Sequence, residues 1–181
     1  MTEILTVFFR IFSKLKRISN IASAKKAGLR IGQRTILVGD QAFGSEPFLI
    51  EIGQDCLVTD GVKFVTHDGA IQVPLIAAGE RIEDVYSNKS IFAKIKIGDN
   101  VFIGISSIIL PGTNIGSNSI VAAGSVVKGS FPSNVVLGGQ PAKIICATND
   151  YYNKNIDRIL YFGGDETREN QVISHLMKFK K

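Results

Sequence analysis

At 181 residues the chain can form one domain with an appendage, and 45% apolar with 20% charged residues is a globular composition, not a disordered one. The net charge of +5 is concentrated at the ends. Arg10, Lys14, Lys16, Arg17, Lys25, Lys26 and Arg30 face a single acid, Glu3, and Lys178, Lys180 and Lys181 close the tail. The middle is therefore close to neutral, which argues against a nucleic-acid groove along it. Cys56 and Cys146 are far apart, with no histidine or second cysteine at metal-ligand spacing; they read as free thiols in a reducing compartment, and no metal site is expected.

Residues 1–27 read as a basic amphipathic helix. Ile4, Leu5, Phe8, Ile11, Phe12 and Leu15 fall at helical spacing opposite a basic face. Arg10 and Lys14 break the apolar run, so it is neither a signal-peptide core nor a transmembrane span. Two roles fit. The helix packs on its own protein or at a subunit interface, or it makes peripheral membrane contact at an anionic leaflet.

Residues 28–147 read as one repeat domain. Ile97, Ile103, Ile109, Ile115, Val121 and Val127 recur at every sixth position, and Ile52, Val58 and Phe64 do so earlier. Small residues (Gly98, Gly104, Gly116 and Ala122) follow four of them. A period of six fits neither an isolated helix nor an ordinary strand. It fits an all-β solenoid in which each short strand sends one side chain inward, with three steps to a coil. The segment RTILVGDQAFGSEPFL breaks the phase and is expected to hold a bulge or a longer corner. Residues 68–90, with Gly69, Pro74 and Gly79 and then a charged stretch, interrupt the repeat just after His67. A loop that long inside a compact repeat is usually functional. The chain leaves the solenoid through Pro132 and Pro141, and residues 148–181 read as a helical tail. Its two helices, NDYYNKNIDRILYF and ETRENQVISHLMKFK, are separated by Gly163 and Gly164.

The run IGDNVFIGISSIILPGTNIGSNSIVAAGSVVKGSFPSNVVLGGQPAKII resembles the hexapeptide-repeat acyltransferases, in particular the branch with maltose, galactoside and capsule-sugar O-acetyltransferases. The resemblance is strong over 91–145, fair over 50–67 and weak elsewhere. It implies a left-handed parallel β-helix, a homotrimer, and acetyl-CoA lying between adjacent subunits. It also implies a catalytic histidine just before an extruded loop, which here is His67 in FVTHDG. The residues agree on their own terms. The other histidine, His175, sits in the expected C-terminal helix, whereas His67 stands where a strand ends and the long loop begins. Acyl transfer from a thioester to a hydroxyl needs a base near neutral pH, and imidazole supplies one. Asp60 and Asp68 are the nearby carboxylates that could orient it, Asp60 being the stronger candidate; as a residue before Gly61, Asp60 also suits a plain turn.

For acetyl-CoA the resemblance carries over to Gly104, Ile105, Ala123, Gly124, Ser125, Lys128 and Lys143. Ile105 departs from the usual small residue and narrows the pantetheine slot. Lys128 is shifted in register, and Lys143 in QPAK stands where the family places a cation near the nucleotide phosphates. The function this implies is O-acetylation of a sugar or polysaccharide precursor for capsule, lipopolysaccharide or exopolysaccharide. The enzyme would act in the cytoplasm or at the inner face of the membrane. Three other readings compete: N-acetylation of a nucleotide-linked amino sugar, a non-catalytic β-helix scaffold, and a γ-type carbonic anhydrase. The last needs three histidine ligands where the chain has two histidines.

Overall fold

A computed structural model describes residues 2–86 and 88–178, which fall into two compact units, Met1–Thr148 and Asn149–Lys181. The first unit opens with helix α1 (Thr2–Lys26), longer than the apolar segment that announces it because Ala and Lys, both good helix formers, continue it. It ends at Gly28, whose φ of 98° turns the chain out of the helix. The side chains of Ile4 and Leu5, expected on its apolar face, lie outside the described residues, as do Phe179 and Lys180 at the other end.

Beyond α1 the chain visits three parallel ladders in turn. The first contains Arg30–Ile31, Ile50–Ile52, Ile95–Ile97, Asn114–Ile115 and Ser130–Phe131. The second contains Ile36–Leu37, Leu57–Val58, Phe102–Ile103, Ile120–Val121 and Val135–Gly139. The third contains Lys63–Phe64, Ile108–Ile109 and Val126–Val127, with Ala42 bridged to Lys63. In the regular block, partners stand eighteen residues apart: Ile97 with Ile115, Ile103 with Val121, Ile109 with Val127. Three six-residue steps thus make one coil, as the spacing predicts. The earlier coil is longer, with Ile31 on Ile52 and Leu37 on Val58, so the interval is twenty-one. The surplus residues form a wide corner at 44–49, where the sequence loses phase.

The period of six has two inward positions. The aliphatic residues of the repeat are all buried, and so are Ser107, Thr113, Ser119 and Ser125, each four residues after an aliphatic one. These hydroxyls satisfy corner carbonyls: Ser107 Oγ donates to Gly104 O at 2.7 Å and Thr113 Oγ1 to Leu110 O at 2.7 Å. A buried carbonyl without a donor would cost stability, so the hydroxyls are part of the core. At one corner, Arg34, Asp55, Asn100, Asn118 and Asn134 all have φ between 51° and 65° and stack coil upon coil. Asn and Asp tolerate that left-handed geometry best among residues with a side chain.

The last coil is closed by an antiparallel strand, Ala142–Ala147, paired with Val135–Gly139. In the second unit the first expected tail helix is shorter than its segment. Helix runs from Thr148 to Asn155, followed by a single turn at Ile156–Arg158 and extended chain to Phe162. Asn153, Asn155 and Asp157 are weak helix formers, which accounts for the early stop. The second tail helix, Arg168–Met177, begins at Thr167, whose hydroxyl accepts from Asn170 N.

Gly104 is buried, and a Cβ there would stand 2.5 Å from the backbone nitrogen of Ala123 in the next coil. Gly104→Ala should therefore lower unfolding free energy by about 1–3 kcal/mol. Gly69→Ala, with nothing within 4 Å of its Cβ position, should have little effect in the same urea titration.

Candidate active site

Thr66 ends the third-face step of its coil, buried at a corner, and the next two residues leave the stack. His67–Asp68 pairs antiparallel with Ile91–Phe92, His67 opposite Phe92. The segment between them is therefore an excursion with a paired neck. Where a long loop is expected, it holds two short helices, α2 (Gln72–Ala77) and α3 (Ile82–Tyr86). Val85 is buried, and Lys89 is ion-paired to Glu80, which ties the two ends of the α3 segment. The His67 ring lies tilted against Phe92, centroids 5.7 Å apart at 53°. It faces a depression of about 320 Å³ lined also by Gly69, Gln72, Tyr86, Lys89 and Ser90.

His67 Nδ1 lies 2.9 Å from Glu46 Oε2, and the same oxygen accepts from Thr66 Oγ1 at 2.6 Å. Glu46 comes from the wide corner of the preceding coil, where Pro47 is buried and starts a tight turn, Pro47–Leu49. Burial pushes its carboxyl upward, but hydrogen bonds from Thr66, His67 and Ser45 outweigh that effect, and the net position is below the ordinary glutamate value. An ionised Glu46 accepts a hydrogen bond from Nδ1–H. That fixes the tautomer in which Nε2 carries the lone pair, the arrangement a general base requires.

The two carboxylates expected from spacing are engaged elsewhere. Asp68 Oδ1 accepts from Ala70 N at 2.9 Å and caps the turn at the start of the excursion. Asp60 Oδ1 accepts from Asp40 N at 2.6 Å, joining two coils at another corner. Sequence reasoning missed Glu46, because only the stacking of one coil on the next brings it to His67. The phase break around it is the signal that could have found it.

The residues expected to hold acetyl-CoA divide into two sets. Gly104, Ile105, Ala123 and Gly124 lie at the corner between the second and third ladders, with Asp60 on the same edge one coil below. Gly124 N donates to Ile105 O at 2.8 Å, and Ser106 N to Asp60 O at 2.9 Å. Ile105 and Ala123 are exposed there, whereas Gly104 is buried between coils. Ser125 turns its side chain inward and donates to Ala122 O at 2.6 Å, so its hydroxyl serves the core and not a ligand. Lys128 is exposed and follows the third ladder, at the corner shared with Glu46 and His67. Lys143 is exposed on the closing strand. Within one chain, the small-residue edge and the His67 edge are therefore different edges of the coil stack.

Protein CapG of Staphylococcus aureus is 41% identical to the chain over 175 residues, covering 95% of this chain and 96% of that protein. Hexapeptide repeat of succinyl-transferase, a family description, matches residues 94–128. The chain belongs to the hexapeptide-repeat acetyltransferases. Galactoside O-acetyltransferase of Escherichia coli K12 is 34% identical over 114 residues, 61% of this chain, and the match spans only about half (52%) of that enzyme's length. The crystal structure of a maltose O-acetyltransferase from Clostridium difficile 630 shares the fold, with a TM-score of 0.51 at 24% identity over 68% of this chain and 72% of that one. Membership of these acetyltransferases makes the chain an acyltransferase. Among the described residues no group of three His, Cys, Asp or Glu is placed to hold a metal.

The Glu46 carboxyl titrates below its ordinary value of 4.5, so its bonds stabilise the fold above that pH and are lost as pH falls through the lowered value. Glu46→Gln should accordingly be less stable than the wild type at neutral pH. The gap should close below the ordinary carboxylate range when both are unfolded in urea at stepped pH.

Proposed function

We propose that the chain is an acetyl-CoA-dependent O-acetyltransferase whose acceptor is a hydroxyl of a sugar or polysaccharide precursor, with His67 as general base. The 2.9 Å contact between His67 Nδ1 and Glu46 carries this reading, because it prepares Nε2 to take a proton. The named activities of the relatives support the acceptor class.

As the acceptor oxygen attacks the thioester carbonyl, its proton passes to Nε2, and the carbonyl electron pair moves onto oxygen. A backbone N–H of the coil wall steadies that oxyanion. The tetrahedral intermediate then collapses, the C–S bond breaks, and the leaving thiolate takes the proton from His67. Direct transfer is favoured over an acyl-enzyme. Cys56 is buried, and burial pushes its thiol above the ordinary range, so it is a poor nucleophile.

The active assembly in this reading is a homotrimer of left-handed β-helices. Two observations support it. The outward side chains of the second ladder, Ile36, Leu57, Phe102 and Ile120, are all apolar, whereas those of the first include Arg30, Glu51, Lys96 and Asn114. An apolar outer sheet face of that kind seeks a partner. The small-residue edge and His67 also belong to one site only if the edge of one copy faces the other edge of the next. Ile105, Ala123 and Gly124 would then line the pantetheine arm, and Lys128 and Lys143 would reach the phosphates. In this reading the enzyme works in the cytoplasm or at the inner face of the membrane.

Thioester consumption with acetyl-CoA against a panel of sugars and amino sugars tests the activity. His67→Ala should lower kcat by about a hundredfold or more with the KM for acetyl-CoA little changed; a full rate on the best acceptor would overturn the base. Phe102→Glu should reduce the mass found by light scattering from that of a trimer, and an unchanged mass would reject the second ladder as the interface.

A further inference from the structure

Helix α1 is turned the opposite way from a helix that covers its own core. Its contacts with the coil stack run along its polar side. Thr6, Ser13, Lys14 and Arg17 face Gly39, Asp40 and Asp60 across a cleft of about 520 Å³. Asn20 Nδ2 donates to Gln41 O at 3.0 Å, and only towards the helix end do Ile21 and Ala24 join the core. Ile18 sits beside Ile31 and Leu37 of the first coil, but the apolar side chains before it point away. Val7, Phe8, Ile11, Phe12 and Leu15 are each more than half exposed, Phe8 at 65%. Their spacing keeps them on one stripe, about 12 Å long at the rise of a helix.

We infer that this stripe lies in the surface of an anionic membrane, with α1 parallel to the bilayer. Charge decides between a lipid surface and a second copy of the helix. Lys16 flanks the stripe, about a third of a turn from its centre, where a long cationic side chain reaches lipid phosphates while its stem stays with the apolar residues. Two copies pairing through the stripe would bring like charges together, because the only acid in the first thirty residues is Glu3. No described helix is long and apolar enough to cross a membrane, so the stripe is an interfacial element and not a span. The cations on the same segment add attraction to anionic headgroups. This inference does not depend on His67 or on the acceptor.

The test uses the full-length protein in flotation with phosphatidylcholine vesicles and with the same vesicles containing phosphatidylglycerol. Binding should be confined largely to the second and weaken as salt is raised. The pair Phe8→Gln and Phe12→Gln should weaken it by at least about tenfold. Lys16→Glu should weaken it at low salt and much less at high salt. Both variants should leave the melting temperature and the acetylation of a soluble sugar unchanged, because Phe8, Phe12 and Lys16 are exposed. Failure of the wild type to bind phosphatidylglycerol vesicles would overturn the inference. So would a Phe8→Gln/Phe12→Gln protein that floats like the wild type, or one whose mass by light scattering falls, which would show a second copy on the stripe.

Discussion

Stacking of parallel coils at strand spacing, about 4.8 Å, is the constraint from which the rest of the first unit follows. Strands inside the regular block, such as Phe102–Ile103, Ile108–Ile109 and Ile120–Val121, have their backbone groups paired with the coil above and the coil below. The interior then admits one aliphatic side chain per step and, at the corner before the next, one small residue. That is why Ile97, Ile103, Ile109, Ile115, Val121 and Val127 are buried in register with one another. It is also why Ser107, Thr113 and Ser125 are serines and a threonine: the corner carbonyls need donors, and only a short hydroxyl side chain reaches them without displacing the next coil. Gly104 belongs to the same economy of space, since the backbone of Ala123 occupies the position a Cβ would take.

A stack this regular has no chemistry of its own, and the reactive arrangement arises where regularity fails. The coil before His67 carries surplus residues, and they widen a corner enough for Glu46 to lean over the next coil. The coil that holds His67 is interrupted at once by the α2–α3 excursion, whose neck sets Phe92 beside the imidazole. The two irregularities lie one above the other. One provides the carboxylate beside Nδ1, and the other provides the walls of the depression that the ring faces. The ladders around them pin both in place, so the imidazole is held by backbone pairing and not by a loop alone.

The ends of the stack follow a different rule. A terminal coil exposes backbone edges and an open core, which α1 covers only with its last turns, at Ile21 and Ala24. The remainder of α1 runs with polar residues toward Asp40 and Asp60 and leaves its apolar stripe outward. A helix with that polarity contributes little to the core, and the stripe has meaning only with respect to something outside the chain.

Much of this was legible in the amino-acid order. The period of six determined the inward positions, the coil length of the regular block and the ladder partners, because a repeat of side-chain size imposes itself locally. The break after His67 marked the excursion, and the position of that histidine singled it out. Which carboxylate orients it was not legible. Asp60 and Asp68 are closer in sequence, yet one joins Asp40 across coils and the other caps a turn. Glu46 reaches His67 only through the register of two coils whose interval is twenty-one and not eighteen, and a local pattern carries no information about such a register. In the same way, the small-residue motif marked Ser125 as a ligand contact, while its burial, set by the coil above, turned it inward. The helical spacing of α1 determined that it has an apolar side. Only the docking of its polar side on the stack decided which way that side faces, because amphipathicity specifies a direction around the helix axis and tertiary contacts specify what lies in that direction.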